Sequence, residues 1–170
     1  MHVLLTGDRN AGKTTVVETV VSRLQARGLD VAGFYTVGGE TLELVAARTG
    51  ERTVFASESE TFDEGPTVGR YGIDPGAVER GIALARQDGD VLVLDEIGRL
   101  EQRGEGFAPI LSELQADRYR GVLVSVRQGV EEFVAKAFSD GSQPVHLEVT
   151  ESNRDDLPEV VLDRLLGSSR

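Results

Sequence analysis

Eight residues near the start of the chain restrict what it can fold into more than any other stretch. Gly7-Asp8-Arg9-Asn10-Ala11-Gly12-Lys13-Thr14 fits the pattern G-x-x-x-x-G-K-[ST] at every fixed position. His2 to Thr6, just before it, reads as a short buried strand. After it, Val16, Val17, Val20, Val21 and Leu24 recur at helical spacing as far as Arg27, and Gly28 supplies the stop. Strand, glycine loop and helix in that order make a phosphate cradle. Gly7 and Gly12 let the backbone wrap close to oxyanions, successive N–H groups point inward, and the helix N-terminus adds about half a positive charge. The plain alternative is a glycine-rich turn whose lysine is merely solvated.

In the phosphate reading, Lys13 spans the β- and γ-phosphates of a triphosphate and the Thr14 hydroxyl ligates Mg²⁺. A second segment supplies the other half of such a site. Val91-Leu92-Val93-Leu94 is apolar on both faces, as in a covered parallel strand, and it ends in Asp95-Glu96. Asp95 at the strand end holds the metal's hydration shell opposite Thr14, and Glu96 orients an attacking water and takes its proton. Taken alone, an acidic pair after a strand is only the start of a solvated loop.

The remaining elements fit the same architecture. Strands are expected over Leu29 to Tyr35, Gly121 to Val126 and Val145 to Val149, and an antiparallel hairpin over Thr41 to Ala47 and Arg52 to Ala56. Helices are expected over Val78 to Arg86, opened by Asp74-Pro75, and over Phe107 to Leu114, Val130 to Phe138 and Pro158 to Leu166. Ser57 to Gly72 reads as an ordered surface loop. Repeated strand–helix units predict an α/β fold: a mainly parallel sheet, helices on both faces, and the antiparallel hairpin at one side. Ligands on such sheets bind beyond the carboxyl ends of the strands, where every motif above falls.

Composition narrows the partners. A chain of 170 residues suits one domain over 1–170. With no cysteine it has neither disulfides nor thiolate metal sites. A net charge of −11 disfavours non-specific nucleic-acid binding, since a phosphate backbone is repelled. No signal segment and no membrane-length apolar run appears, so a cytoplasmic protein is expected, monomeric or a small homo-oligomer.

Asp95-Glu96-Ile97-Gly98-Arg99-Leu100-Glu101 resembles the Asp-Glu-Ile-Gly-Lys-Met-Glu signature of the small nucleoside-triphosphatase family first known from thermophiles, also called the cancer-related nucleoside-triphosphatases. Thr6-Gly7 through Thr15, Gly33-Phe34-Tyr35-Thr36, Val68-Gly69-Arg70-Tyr71 and Val149-Thr150-Glu151-Ser152-Asn153-Arg154 agree in the same order. The resemblance therefore runs nearly end to end. It implies the phosphate-loop fold, Mg²⁺ as cofactor, and hydrolysis of ATP, GTP and other nucleoside triphosphates to diphosphate and phosphate with loose base preference. It also implies nucleotide contacts from Gly7 to Thr15.

Several positions carry two readings. Arg99, which stands where the family has lysine, either stabilises charge on the transferring phosphoryl group or pairs with Glu101 or Glu105. Asn153 and Arg154 either contact base or ribose or begin the last helix. Arg70 either folds over the site or makes a surface salt bridge. Arg9 and Asn10 replace the proline and glycine usual in the family's loop, and Val37-Gly38-Gly39-Glu40 replaces its acidic residue and arginines. Two other activities use the same loop and metal. One is a small nucleoside or metabolite kinase, although no compact arginine cluster is evident between the later strands. The other is a slow nucleotide-dependent switch or assembly factor.

Overall fold

The architecture follows from which residues can hide both faces of a strand. In the computed structural model, which describes residues 1–58, 62, 65–138 and 141–167, nine strands form one sheet. In chain order the strands are β1 (Val3–Thr6), β2 (Val31–Gly38), β3 (Thr41–Ala46), β4 (Arg52–Ser57), β5 (Thr67–Val68), β6 (Tyr71–Ile73), β7 (Val91–Ile97), β8 (Gly121–Val126) and β9 (Val145–Glu148). Their spatial order is β5-β6-β4-β3-β2-β7-β8-β1-β9. From β2 to β9 all pairings are parallel, whereas β3, β4, β6 and β5 extend the sheet antiparallel at the other side.

The helices are α1 (Lys13–Ala26), α2 (Pro75–Ala85), α3 (Arg99–Gln102), α4 (Ala108–Ser112), α5 (Glu131–Ala135) and α6 (Leu157–Leu166). Alternation along each strand divides the core in two. Val3, Leu5, Val91, Val93 and Leu123 face α1 and α6, joining Val17, Val20, Leu24, Val161 and Leu165. Leu4, Leu92, Leu94, Val122 and Val124 face the opposite way, with Leu84 of α2, Ile110 of α4 and Val134 of α5. The expected α/β arrangement, helices on both faces, is the one observed.

Two differences from the sequence expectation shape the site. Ser57 to Gly72 is not wholly loop: Thr67–Val68 and Tyr71–Ile73 form a small hairpin, and β6 adds to β4 through Ala56 with Ile73 and Ser57 with Gly72. So short a run carries no readable alternation, and its only sequence mark is the turn at Gly69. Residues 59–61, 63 and 64 of that stretch lie outside the described residues. The strand through Val91 also runs past Leu94 to Ile97, carrying the acidic pair inside the sheet rather than after it. Among the described residues, no helix is long and apolar enough to cross a membrane.

Candidate active site

The site is assembled by the carboxyl ends of β1, β7, β8 and β2. β8 lies between the loop-bearing β1 and the acid-bearing β7, so its own end enters the site. After β1 the chain turns at Gly7, whose φ is 147°. A Cβ there would lie 2.5 Å from the Val149 carbonyl oxygen, so only glycine lets the loop lie against the end of β9. Asn10 takes a left-handed φ of 65°, which an asparagine tolerates. Gly12, also left-handed, opens α1 without a side-chain cap, and the first turn holds no acidic residue. The first-turn N–H groups lack intrahelical acceptors, so this end of α1 presents bare donors and the positive end of its dipole.

Lys13 is buried, with its Nζ donating to the carbonyls of Gly7 at 2.8 Å and Asp8 at 3.0 Å. The loop thus holds its cation over its own mouth. The next residue reaches the acidic pair: Thr14 Oγ1 donates to Asp95 Oδ2 at 3.1 Å.

Asp95 is fully buried and accepts from every side. Oδ2 also takes the Thr36 N–H at 3.0 Å and the Thr36 hydroxyl at 3.3 Å. Oδ1 accepts from the Ser125 hydroxyl and from the Glu96 N–H at 3.0 Å. A buried carboxylate is stable only when so surrounded. Thr36 and Ser125 are therefore the residues that fix this group, and neither was singled out for that role by the sequence. One signal was available for each: a polar residue inside an otherwise apolar strand.

The pairing of β7 with β8 slips between Leu94 and Ile97, where Asp95 and Glu96 together oppose Ser125 alone. This bulge puts Glu96 at φ 61°, a left-handed conformation costing roughly 1–3 kcal/mol for a residue of this type. At the bulge the two adjacent carboxylates go to different places: Asp95 is buried beneath the loop and Glu96 lines the cleft. Burial and the neighbouring Asp95 charge push the Glu96 carboxyl above the usual carboxylate range, while Arg127 and Lys13 pull it down. Arg127 Nε lies 3.7 Å from Glu96 Oε2.

Glu101 is turned inward rather than toward Arg99. Its Oε2 accepts the Gly98 N–H at 2.8 Å and its Oε1 the Phe107 N–H at 3.1 Å, bracing the segment after the acidic pair. Burial raises its carboxyl above the usual range. A glutamine offers one acceptor where two donors converge. Glu101→Gln is expected to cost about 1–2 kcal/mol and lower the melting midpoint by about 3–8 °C. Thermal denaturation checks this, and an unmoved midpoint would mean that the segment is held otherwise. Glu105 pairs instead with Arg103 at 3.5 Å, and Arg99 faces the cleft with no ion pair among the described residues.

The cleft itself measures about 1180 Å³. It runs from the loop, where Arg9, Asn10 and Thr15 join its wall, past Thr36 and the Val37–Glu40 turn to Arg70 and Tyr71. Tyr71 donates to the Gly39 carbonyl at 2.7 Å, and Arg70 Nε lies 2.7 Å from Glu58 Oε1, so the small hairpin closes that end. Four arginines scattered through the sequence (Arg9, Arg70, Arg99 and Arg127) meet here, a gathering their spacing concealed.

Asn153 and Arg154 stand on the opposite side of the loop. The Asn153 amide is engaged in its own turn, accepting from Thr150 N–H at 2.8 Å and donating to the Glu148 carbonyl at 2.9 Å. Arg154 lies over Gly12, where a Cβ would come 3.2 Å from its Cδ.

A divalent ion fits this donor set. The Thr14 hydroxyl and the Asp95 carboxylate are hard oxygens already in contact beside the loop. Mg²⁺ suits a site of one or two protein oxygens completed by phosphate oxygens and water.

Comparison with known proteins agrees with this geometry. The NTPase family model matches residues 2–162. A nucleoside-triphosphatase THEP1 of Caldivirga maquilingensis is 39% identical over 111 residues, 62% of this chain and 63% of that protein. One from Natranaerobius thermophilus is 32% identical over 178 residues, 96% of each. The solution structure of a human cancer-related nucleoside triphosphatase superimposes with a TM-score of 0.73 at 22% identity, covering 99% of this chain and 98% of that one. A family match across almost the whole length, together with a relative about one-third identical over nearly all of both chains, leads to one conclusion: the chain belongs to the NTPase family, a family of nucleoside triphosphatases.

Proposed function

We propose that this chain hydrolyses nucleoside 5′-triphosphates to diphosphate and phosphate in a Mg²⁺-dependent reaction with broad base preference. The observation that carries the reading is the Thr14–Asp95 contact at the mouth of the loop, with Glu96 turned into the same cleft by the bulge. Gly7 to Thr15 wrap the phosphates, and Lys13 leaves its loop carbonyls for the β- and γ-phosphate oxygens. Thr14 and Asp95 would hold Mg²⁺, which when bound neutralises phosphate charge. Glu96 orients water in line with the γ-phosphorus and accepts its proton. Arg99, free in the cleft, adds positive charge toward the phosphoryl group. Arg154 and Asn153 frame the base end; with Asn153's amide spent on its turn, contact there falls mainly to Arg154.

The charge pattern supports a small-molecule substrate rather than nucleic acid: the chain carries a net −11, and its cleft places Lys13 and four arginines beside four glutamates, Glu18, Glu40, Glu58 and Glu96. We read the protein as a single cytoplasmic domain, monomeric or a small homo-oligomer. Phosphate and diphosphate release should be followed with each common nucleoside triphosphate, with and without Mg²⁺. Steady phosphate production across several bases, abolished by chelation, is expected. Production of pyrophosphate, or turnover indifferent to chelation, would overturn the reading. The arginine-lined cleft favours one competitor, transfer to an acceptor hydroxyl, and phosphate release with no acceptor present excludes it.

A further inference from the structure

We propose that Arg127 is the arginine that ties the water-positioning Glu96 to the departing phosphoryl group and stabilises its charge, so that the chain supplies this residue to its own site. The inference rests on the reading of Glu96 as the residue that positions water. Arg127 follows β8, the strand inserted between the two functional strands, and its N–H donates to the Ile97 carbonyl at 2.9 Å directly beyond the bulge. Its backbone is therefore fixed relative to Glu96. The aliphatic part of the side chain crosses Gly98, where a Cβ would stand 3.2 Å from Cδ, so the absence of a side chain at 98 lets it lie flat. Nε lies 3.7 Å from Glu96 Oε2, and the side chain is 50% exposed. Among the described residues its two terminal nitrogens make no hydrogen bond, which leaves the forked end free to meet an oxyanion in the cleft it lines.

The other cleft arginines are less suited. Arg70 is held by Glu58 at the far end, and Arg9 lies exposed on the loop itself. Arg99 adds charge to the same cleft but makes no ion pair with Glu96 among the described residues, so it does not tie the base to the phosphoryl group. A guanidinium bridging Glu96 and the γ-phosphoryl oxygens would hold base and electrophile together. In the step, the water oxygen bonds to the γ-phosphorus while the bond from that phosphorus to the β–γ bridging oxygen breaks. The water proton goes to Glu96, and the diphosphate leaves with the electron pair. Arg127 transfers no proton; its charge offsets that on the equatorial and leaving oxygens.

The test compares Arg127→Ala and Arg127→Lys with the unaltered protein in steady-state hydrolysis of Mg–ATP and in binding of ADP with and without aluminium fluoride, a mimic of the planar phosphoryl group. Arg127→Ala should lower kcat by about 100-fold or more with KM changed less than about threefold, as expected of a group acting in the transition state. It should also lose the fluoride complex while binding ADP alone normally, with Arg127→Lys recovering only part of either. Unchanged kcat, or equal weakening of ADP with and without fluoride, would overturn the proposal. Glu96→Gln separates the two readings. Full turnover in that variant would remove Glu96 as base, yet its fluoride complex, compared with that of Arg127→Ala, would still report on Arg127.

Discussion

Lys13→Ala is expected to lower turnover of Mg–ATP by about 1,000-fold or more while leaving the fold intact. The argument begins with what the side chain does in the protein itself. Among the described residues its Nζ is held by two carbonyls of its own loop, Gly7 and Asp8. Losing those two bonds costs about 1–2 kcal/mol, a melting shift of a few degrees for a chain of this size. The catalytic loss is larger because Lys13 starts the helix whose bare N–H groups face the phosphates. Removing it strips charge compensation where the γ-phosphoryl separates. About 4 kcal/mol of lost transition-state stabilisation corresponds to the thousandfold change. Phosphate release at saturating Mg–ATP, with a melting curve on the same sample, reads both quantities. Near-normal turnover would remove Lys13 from the mechanism, and a collapsed melting curve would make its role structural.

What the sequence disclosed, and what it concealed, have physical reasons. The loop was legible because phosphate binding demands glycine, lysine and hydroxyl at fixed intervals within one turn of chain. The acidic pair was legible because a parallel strand buried on both faces reads as an unbroken aliphatic run, after which Asp95 and Glu96 stand out. The different fates of these neighbours were not legible. They depend on a bulge produced by pairing β7 with β8, whose Gly121 start lies well beyond the acids in sequence. Thr36, Ser125 and Arg127 were hidden for the same reason: each matters only because β2 and β8 end beside Asp95. The β5–β6 hairpin was missed because two- and three-residue strands leave no period to count. In sequence Glu101 is one candidate partner of Arg99, but it is drawn inward by two backbone donors that only the folded segment presents.

Glu96→Gln is expected to reduce turnover by about 100- to 10,000-fold while holding nucleotide at least as tightly and melting no lower than the unaltered protein. The two halves of this expectation share a cause. Glu96 is an unfavourable residue where it stands: its backbone is left-handed at φ 61°, and burial and the Asp95 charge both oppose its ionisation. Its ionic partner among the described residues is Arg127 at 3.7 Å, too distant to offset much of that cost where the arginine side chain is half exposed. An amide of the same shape removes the repulsion and loses little pairing, so folding should gain or stay level. What it cannot do is accept a proton from water, and the reaction slows by the worth of a positioned base. Glu96→Gly would go further, because glycine takes φ 61° without strain; it should raise the melting midpoint and abolish turnover together. A Glu96→Gln protein that melts well below the unaltered one would show the carboxylate to be a structural brace. One that hydrolyses at the normal rate would move the proton acceptor elsewhere in the cleft. The expected pattern, stability held while turnover is lost, is what a strained residue kept for its chemistry should give.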